Sequence, residues 1–258
     1  MRASHPVWPL ALFVLTAATA LRADYSTDFT SQSEADFTRY EPLAGLGAGG
    51  TYSFPASGGF RIQAAASPLP GVVGPARAGI LLNGPAYGDF TLSFEILNYS
   101  TANAQFIGAF GRVTTPGLGT LNGYALGLDT STSQLLISRV TGEQSLGPIG
   151  LTAQSAALTL NADVAYVLEF SAIGTEFSGR ITEKASGTVL ATVNGTDAAY
   201  SGGVLALGTV AQSPAAGATA GATFGNLAVV TVPEPSTWAL ALGGAGLLAW
   251  SIRSRSRR

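Results

Sequence analysis

The chain has 258 residues with a formal net charge of −2, no Cys, and a single His, His5, near the N-terminus. Without thiols or imidazoles beyond residue 5, the body of the chain is excluded from Ser-His-Asp and Cys-His catalysis, disulfide stapling and His or Cys metal centres. Between residues 24 and 232, 14 Asp and Glu face six Arg and one Lys, a net of −7. Scattered arginines in an acidic domain make no phosphate-binding patch, so nucleic acid is not expected as a partner.

Residues 1–23 read as a signal peptide. Arg2 supplies the positive n-region, residues 7–20 the apolar h-region, and Ala18-Thr19-Ala20 a small-residue cleavage site. Leu21-Arg22-Ala23 offers a second cut. The roughly 210 residues that follow can bury one sizeable core.

Those residues have a hydrophobic period of two. Phe90, Leu92, Phe94 and Ile96 alternate with Thr91, Ser93 and Glu95, and Tyr166, Leu168 and Phe170 alternate with Val167, Glu169 and Ser171. Phe177 and Ile181 share a parity opposite to Arg180 and Thr182. Further strands are expected at 59–64, 77–82, 105–113, 123–129, 134–141, 156–160, 187–194, 203–210 and 222–231. Turns are expected at Asn83-Gly84-Pro85, Asn122-Gly123, Ser186-Gly187, Asn194-Gly195, Ser201-Gly202-Gly203 and Ser213-Pro214. Residues 43–50 and 64–74 read as mobile loops. No long amphipathic helix is seen. About a dozen short strands, each with one polar face, define an all-β antiparallel two-sheet β-sandwich over residues 24–231.

The order Gly123-Tyr124-Ala125-Leu126-Gly127-Leu128, Gln134 to Val140, Tyr166-Val167-Leu168-Glu169-Phe170, Phe177 to Ile181, Gly187 to Leu190, Asp197, Tyr200 and Phe224-Gly225-Asn226 resembles the concanavalin A-like, laminin-G-like jelly roll. The resemblance covers roughly residues 85–231 and implies fold more than function. Residues 24–84 would add an outer strand and an edge strand. Relatives often end Phe-Asp-Asn, and here Gly225 replaces the Asp.

Glycosidases of that fold carry a Glu-x-Asp-x-x-Glu triplet, since two carboxyls must flank the scissile bond. The chain has none. Glu95 stands alone, and a hairpin between Glu169 and Glu176 would let them face each other. Any metal would have to be a hard cation on oxygen ligands, such as Ca²⁺, and Asp129, Asn194 and Asp197 are the weak candidates for it. Tyr99, Tyr124 and Tyr200 are candidates for exposed rings that stack on sugar, because Trp8, Trp238 and Trp250 all lie in terminal apolar segments.

The C-terminal segment, 232–258, is the most specific part of the sequence. Pro233-Glu234-Pro235 is stiff and extended: each proline fixes φ and lacks an N–H, and Glu234 precedes a proline. Residues 236–252 form an expected transmembrane helix. Its apolar run from 238 to 252 would span about 22 Å, short of the roughly 30 Å hydrocarbon core. Arg253, Arg255, Arg257 and Arg258 then form a cytoplasmic stop by the positive-inside rule. This arrangement resembles the PEP-CTERM sorting signal of Gram-negative bacteria. The resemblance implies export, transient anchoring in the inner membrane, recognition by an exosortase and loss of the tail. The mature protein would then lie at the cell surface or in extracellular matrix, as a non-catalytic adhesion or glycan-contact sandwich touching exopolysaccharide. A carbohydrate-active enzyme or a dedicated lectin of the same fold is the alternative.

Overall fold

A computed structural model describes residues 24–213 and 215–232. The signal peptide (1–23), the Pro233-Glu234-Pro235 motif, the span 236–252 and the arginines at 253, 255, 257 and 258 lie outside the described residues. Among the described residues no helix is long and apolar enough to cross a membrane.

The chain runs through β1 (Tyr25–Thr27), β2 (Phe37–Tyr40), β3 (Gly50–Ser53), β4 (Phe60–Ala64), β5 (Arg77–Leu82), β6 (Phe90–Tyr99), β7 (Gln105–Thr114) and β8 (Asn122–Asp129). It continues through β9 (Gln134–Thr141), β10 (Gln144–Pro148), β11 (Tyr166–Ile173), β12 (Glu176–Glu183), β13 (Val189–Thr196), β14 (Val204–Ala211) and β15 (Ala220–Thr231). Two antiparallel sheets result. The first has the order β13-β12-β11-β6-β15-β4-β3, with β1 also paired to β15; the second has the order β10-β9-β8-β7-β14-β5-β2. The fold is an all-β sandwich.

Alternation places one parity of each strand between the sheets. Phe90, Leu92, Phe94, Ile96, Leu168, Phe170 and Phe224 meet Ile80, Ile107, Leu126, Leu128, Ile137 and Leu207, and every one of these is essentially inaccessible. Each such side chain contributes roughly 1.5–3 kcal/mol of burial, so the sandwich needs no covalent staple.

Two bulges reset the parity. In β15 the register against β6 shifts between Gly225 and Ala228, with Asn226 in left-handed backbone at φ 36°. Phe224 and Leu227, three apart, therefore both reach the core. In β7 the register against β8 shifts between Gly111 and Thr114, with Arg112 at φ 52°. The bulge turns Arg112 inward, where it is 2% exposed. Its guanidinium donates to the carbonyls of Gly88 (2.8 Å) and Tyr200 (3.1 Å) and to Asp89 Oδ1 (3.2 Å), and it lies 5.1 Å from the centre of the Phe177 ring. Burial lowers its pKa, opposed by Asp89.

Several local expectations are corrected. Residues 156–160 form no strand; bonds from Ser155 N to Leu135 O and Leu158 N to Ser133 O hold that stretch in an irregular path along β9. Asn194-Gly195 is not a turn but part of β13, and Asn122-Gly123 opens β8. The segment 24–84 supplies five strands rather than two, with β2 and β3 at sheet edges. Each expected loop carries a helical turn: a 3-10 turn at Ala44–Leu46 beside fully buried Leu43, and α1 (Pro70–Val73).

Both ends of the described chain meet. Asp24 N donates to Val229 O (2.8 Å), and the Asp24 carboxylate accepts from Thr231 N. Val232 N donates to Asp89 O (3.1 Å).

Candidate functional site

A second apolar cluster, separate from the core, covers the outer face of the seven-stranded sheet. Phe106, Val113, Leu121, Ala125, Val140 and Ala206 form it, with Tyr40, Phe110, Leu136 and Val210 packed around them. Outer sheet faces are ordinarily polar, so this one stands out.

The strand registers explain its shape. Gly79 in β5 pairs with Gly208 in β14, Gly208 with Gly108 in β7, and Gly108 with Gly127 in β8. Tyr40 in β2 and Leu136 in β9 close the two ends of this row. Four glycines thus line up across four adjacent strands. Phe106 and Phe110 flank the row on β7 and lean over it, their ring centres 6.0 Å apart. A Cβ on Gly127 would sit 2.7 Å from Phe106 Cζ, and one on Gly208 would sit 3.5 Å from Phe110 Cε2. The missing side chain at Gly127 makes room for Phe106, while a Cβ on Gly79 or Gly108 would strike the carbonyls of Leu207 or Leu126.

A strap crosses one end of this face. The β9–β10 turn is fixed by Gly142 N donating to Asn122 Oδ1 (2.9 Å) and Glu143 N donating to Leu121 O (2.8 Å). Glu143, at φ 65°, reaches β5 and accepts two bonds from Arg77, Nε at 2.8 Å and Nη2 at 2.7 Å. Both side chains are only 8% exposed. The Glu143 carboxylate also accepts from Tyr40 Oη and Gly119 N. Arg77 Nη1 bonds the carbonyls of Val73 (3.0 Å) and Pro75 (2.8 Å). Burial first, then Glu143, raises the pKa of Tyr40 far above that of a free phenol.

Beyond the strap an open cleft of about 500 Å³ runs between the sheet face and β10. Phe106, Phe110, Leu136 and Val140 floor it, and Asp129, Gln144, Ser145, Gln154 and Gln212 rim it. Large, partly apolar concavities with a few polar groups are where small ligands and polymer segments bind.

The three Ca²⁺ candidates are not gathered there. Asp129 Oδ1 accepts from Ser131 N (2.8 Å) and Ser131 Oγ (2.5 Å), a turn contact at the β8–β9 hairpin. Asp197 accepts from Tyr124 Oη (2.6 Å), Ala199 N (2.8 Å) and Arg139 Nη1 (3.0 Å), donors that occupy both its oxygens. Asp129 and Tyr124 are five residues apart on one strand, roughly 16 Å at strand rise, so Asp129 and Asp197 sit at opposite ends of β8. Asn194 lies in edge strand β13, its backbone bonded to Thr152. Among the described residues no three Asp, Glu, His or Cys groups are close enough to hold a metal. The pKa of Asp197 is lowered: burial raises it, but the Tyr124, Ala199 and Arg139 donors outweigh that.

The tyrosines divide. Tyr124 is not exposed but fully buried, 4.2 Å from the Phe177 ring, and its phenol is pushed up to about 12, chiefly by burial. Tyr99 and Tyr200 are partly exposed and pack against the core. Tyr200 Oη bonds Thr141 Oγ1 (2.7 Å). Glu169 and Glu176 do not face each other: Glu169 lies opposite Arg180, bonded at 2.6 Å, and Glu176 opposite Ile173. Glu95 is 6% exposed and held by Lys184 Nζ (2.9 Å) and Asn226 Nδ2 (2.9 Å). A Cβ on Gly225 would lie 2.9 Å from Glu95 Oε2. Here Glu95 fills the space that an aspartate at 225 would need. Alternation in the sequence marks none of the glycine row, Arg77 or Glu143; only the register across five strands brings them together.

The sandwich belongs to the lectin-like class of folds. It superposes on a Bacillus subtilis protein of unknown function with galectin-like fold, with a TM-score of 0.56 and 12% identity over 82% of this chain and 97% of that one. It is also similar to the carbohydrate-binding module CBM66 of Bacillus subtilis (TM-score 0.50, 16% identity, 76% of this chain and 96% of that one). The lectin UEA-II, solved with galactose, gives a TM-score of 0.50 and 10% identity over 81% of this chain and 100% of that one. At these identities the likeness concerns the fold alone. No curated protein matches the chain by sequence. The C-terminal segment is more specific: residues 231–258 match the family described as the PEP-CTERM protein-sorting motif. The chain is a lectin-like β-sandwich that carries a PEP-CTERM sorting motif at its C-terminus.

Proposed function

We propose that the chain is an exported exosortase substrate whose sandwich makes non-catalytic contact with extracellular glycan. In this reading residues 1–23 direct export, residues 236–252 hold the precursor in the inner membrane, and Arg253, Arg255, Arg257 and Arg258 stop transfer. Pro233, Glu234 and Pro235 are offered to the exosortase, after which the sandwich stays at the cell surface or in extracellular matrix. The observation that carries this reading is the match of residues 231–258 to the sorting motif. The outer face of the seven-stranded sheet supports the glycan half: it has a partly exposed aromatic ring, Phe110, for stacking, a polar rim for hydroxyl groups, and a cleft of about 500 Å³.

Fractionation of cells with and without the exosortase tests the sorting half. Deleting the enzyme, or Glu234→Ala, is expected to leave a larger, membrane-bound precursor. Unchanged size and location in both would refute it. Retention of the purified protein on a polysaccharide panel tests the glycan half, and absence of binding to every member would end it.

A further inference from the structure

The cleft holds an unusual charge balance. Its ionisable lining side chains are two carboxylates, Asp129 and Glu143. The nearby cation, Arg77, is spent: two of its nitrogens face Glu143 and the third faces the Val73 and Pro75 carbonyls. Other described cations are engaged elsewhere: Arg39 by Glu34, Arg139 by Asp197, Arg180 by Glu169 and Lys184 by Glu95, while Arg112 is buried in the sandwich and Arg61, in β4 of the other sheet, bonds Asn98 and Thr223. Glu143 and Arg77 neutralise each other, so an anionic sugar in the cleft would meet the like charge of Asp129 and no free counter-ion on a largely apolar floor, where unpaired charge is costly. The floor, Phe106, Phe110, Leu136 and Val140, carries one side-chain polar atom, Ser138 Oγ, between Leu136 and Val140. A sugar edge dense in free hydroxyls would lose water there for a single partner, whereas acetyl or methyl substituents would bury favourably.

We propose that the cleft selects uncharged polysaccharide bearing apolar substituents, with O-acetyl as the representative group, and rejects polyuronates. This rests on the glycan-contact reading above. The substituent seats on the partly exposed Phe110 ring beside Leu136 and Val140, and the uncharged rim (Ser145, Gln154) serves the backbone hydroxyls.

The test is affinity electrophoresis of the full-length chain, purified in detergent, against three probes: acetylated glucomannan, the same glucomannan after alkaline deacetylation, and polygalacturonate. Deacetylation should weaken binding at least tenfold, and polygalacturonate should bind at least tenfold more weakly than the acetylated polymer. Phe110→Ala should weaken the acetylated probe, with folding checked by circular dichroism. Gln144→Lys, on an exposed rim position, should shift the ratio of polygalacturonate to acetylated-probe binding several-fold toward the polyuronate. Equal binding of acetylated and deacetylated polymer, or preference for the polyuronate, overturns the selectivity while leaving glycan contact intact. Binding untouched by both variants places the site elsewhere and overturns it too. Dimerisation abolished by Phe110→Ala would assign the cleft to a second copy of the chain, again overturning it. No binding to any probe sinks the glycan-contact reading itself.

Discussion

Glu143→Ala is expected to be among the most damaging single changes outside the core. The side chain it removes is 8% exposed and accepts from Arg77 Nε and Nη2, Tyr40 Oη and Gly119 N. Arg77, also 8% exposed, would keep only its two carbonyl partners. Breaking a buried pair by removing one partner costs about 3–5 kcal/mol, because a charge is left behind. We take about 4 kcal/mol, which for a domain of this size lowers Tm by about 8–16 °C. The strap would also lose its hold on β5, since only backbone bonds to Leu121 and Asn122 then fix the turn. Urea unfolding followed by circular dichroism is the assay, because the residues between 24 and 232 contain no Trp. The double variant Arg77→Met with Glu143→Ala removes the orphaned guanidinium and should be more stable than Glu143→Ala alone. A single-variant cost below about 1 kcal/mol, or a double variant less stable than the single, would refute the account of the strap as a buried, charge-paired latch.

Gly225→Asp, which completes a Phe-Asp-Asn sequence, should destabilise by about 3 kcal/mol or more, because its Cβ alone would lie 2.9 Å from Glu95 Oε2 and a second carboxylate would join a buried one; wild-type stability in a urea titration would contradict this. Asp197 has a folded pKa below its ordinary 3.8, so its contribution to stability is complete above that value and is lost as pH falls through the lowered one. Asp197→Asn should therefore flatten the acid limb of the stability–pH curve below about pH 4, and an unchanged limb would argue against the Tyr124 and Arg139 contacts.

The sandwich was legible because its core strands alternate strictly: Phe90, Leu92, Phe94 and Ile96 declare an inner face without help from tertiary structure. The misplaced turns came from glycine. Asn194-Gly195 and Asn122-Gly123 look like turns, yet Gly195 is there because a Cβ would strike Ile149 at 2.6 Å, and Gly123 because one would lie 2.9 Å from the Gly111 carbonyl. Glycine that admits a neighbour and glycine that bends a chain are the same letter. The short strands β1, β3 and β10 lack an apolar run, and their pairing comes from neighbours. The candidate face was hidden for a further reason. Its four glycines are far apart in sequence, and Arg77 and Glu143 are separated by 66 positions; nothing local ties them together.

The last strand bears on the release proposed for the protein. Every described ladder bond of β15 is complete by Thr231, and Val232 ties off on Asp89. The proposed cut, at or after Pro233, would remove none of these bonds, so the severed product would keep the described ladder of its last strand. Shedding would then be a change of address rather than of shape. The freed end would stay stitched beside Asp24, where it offers little to recruit neighbours into aggregates.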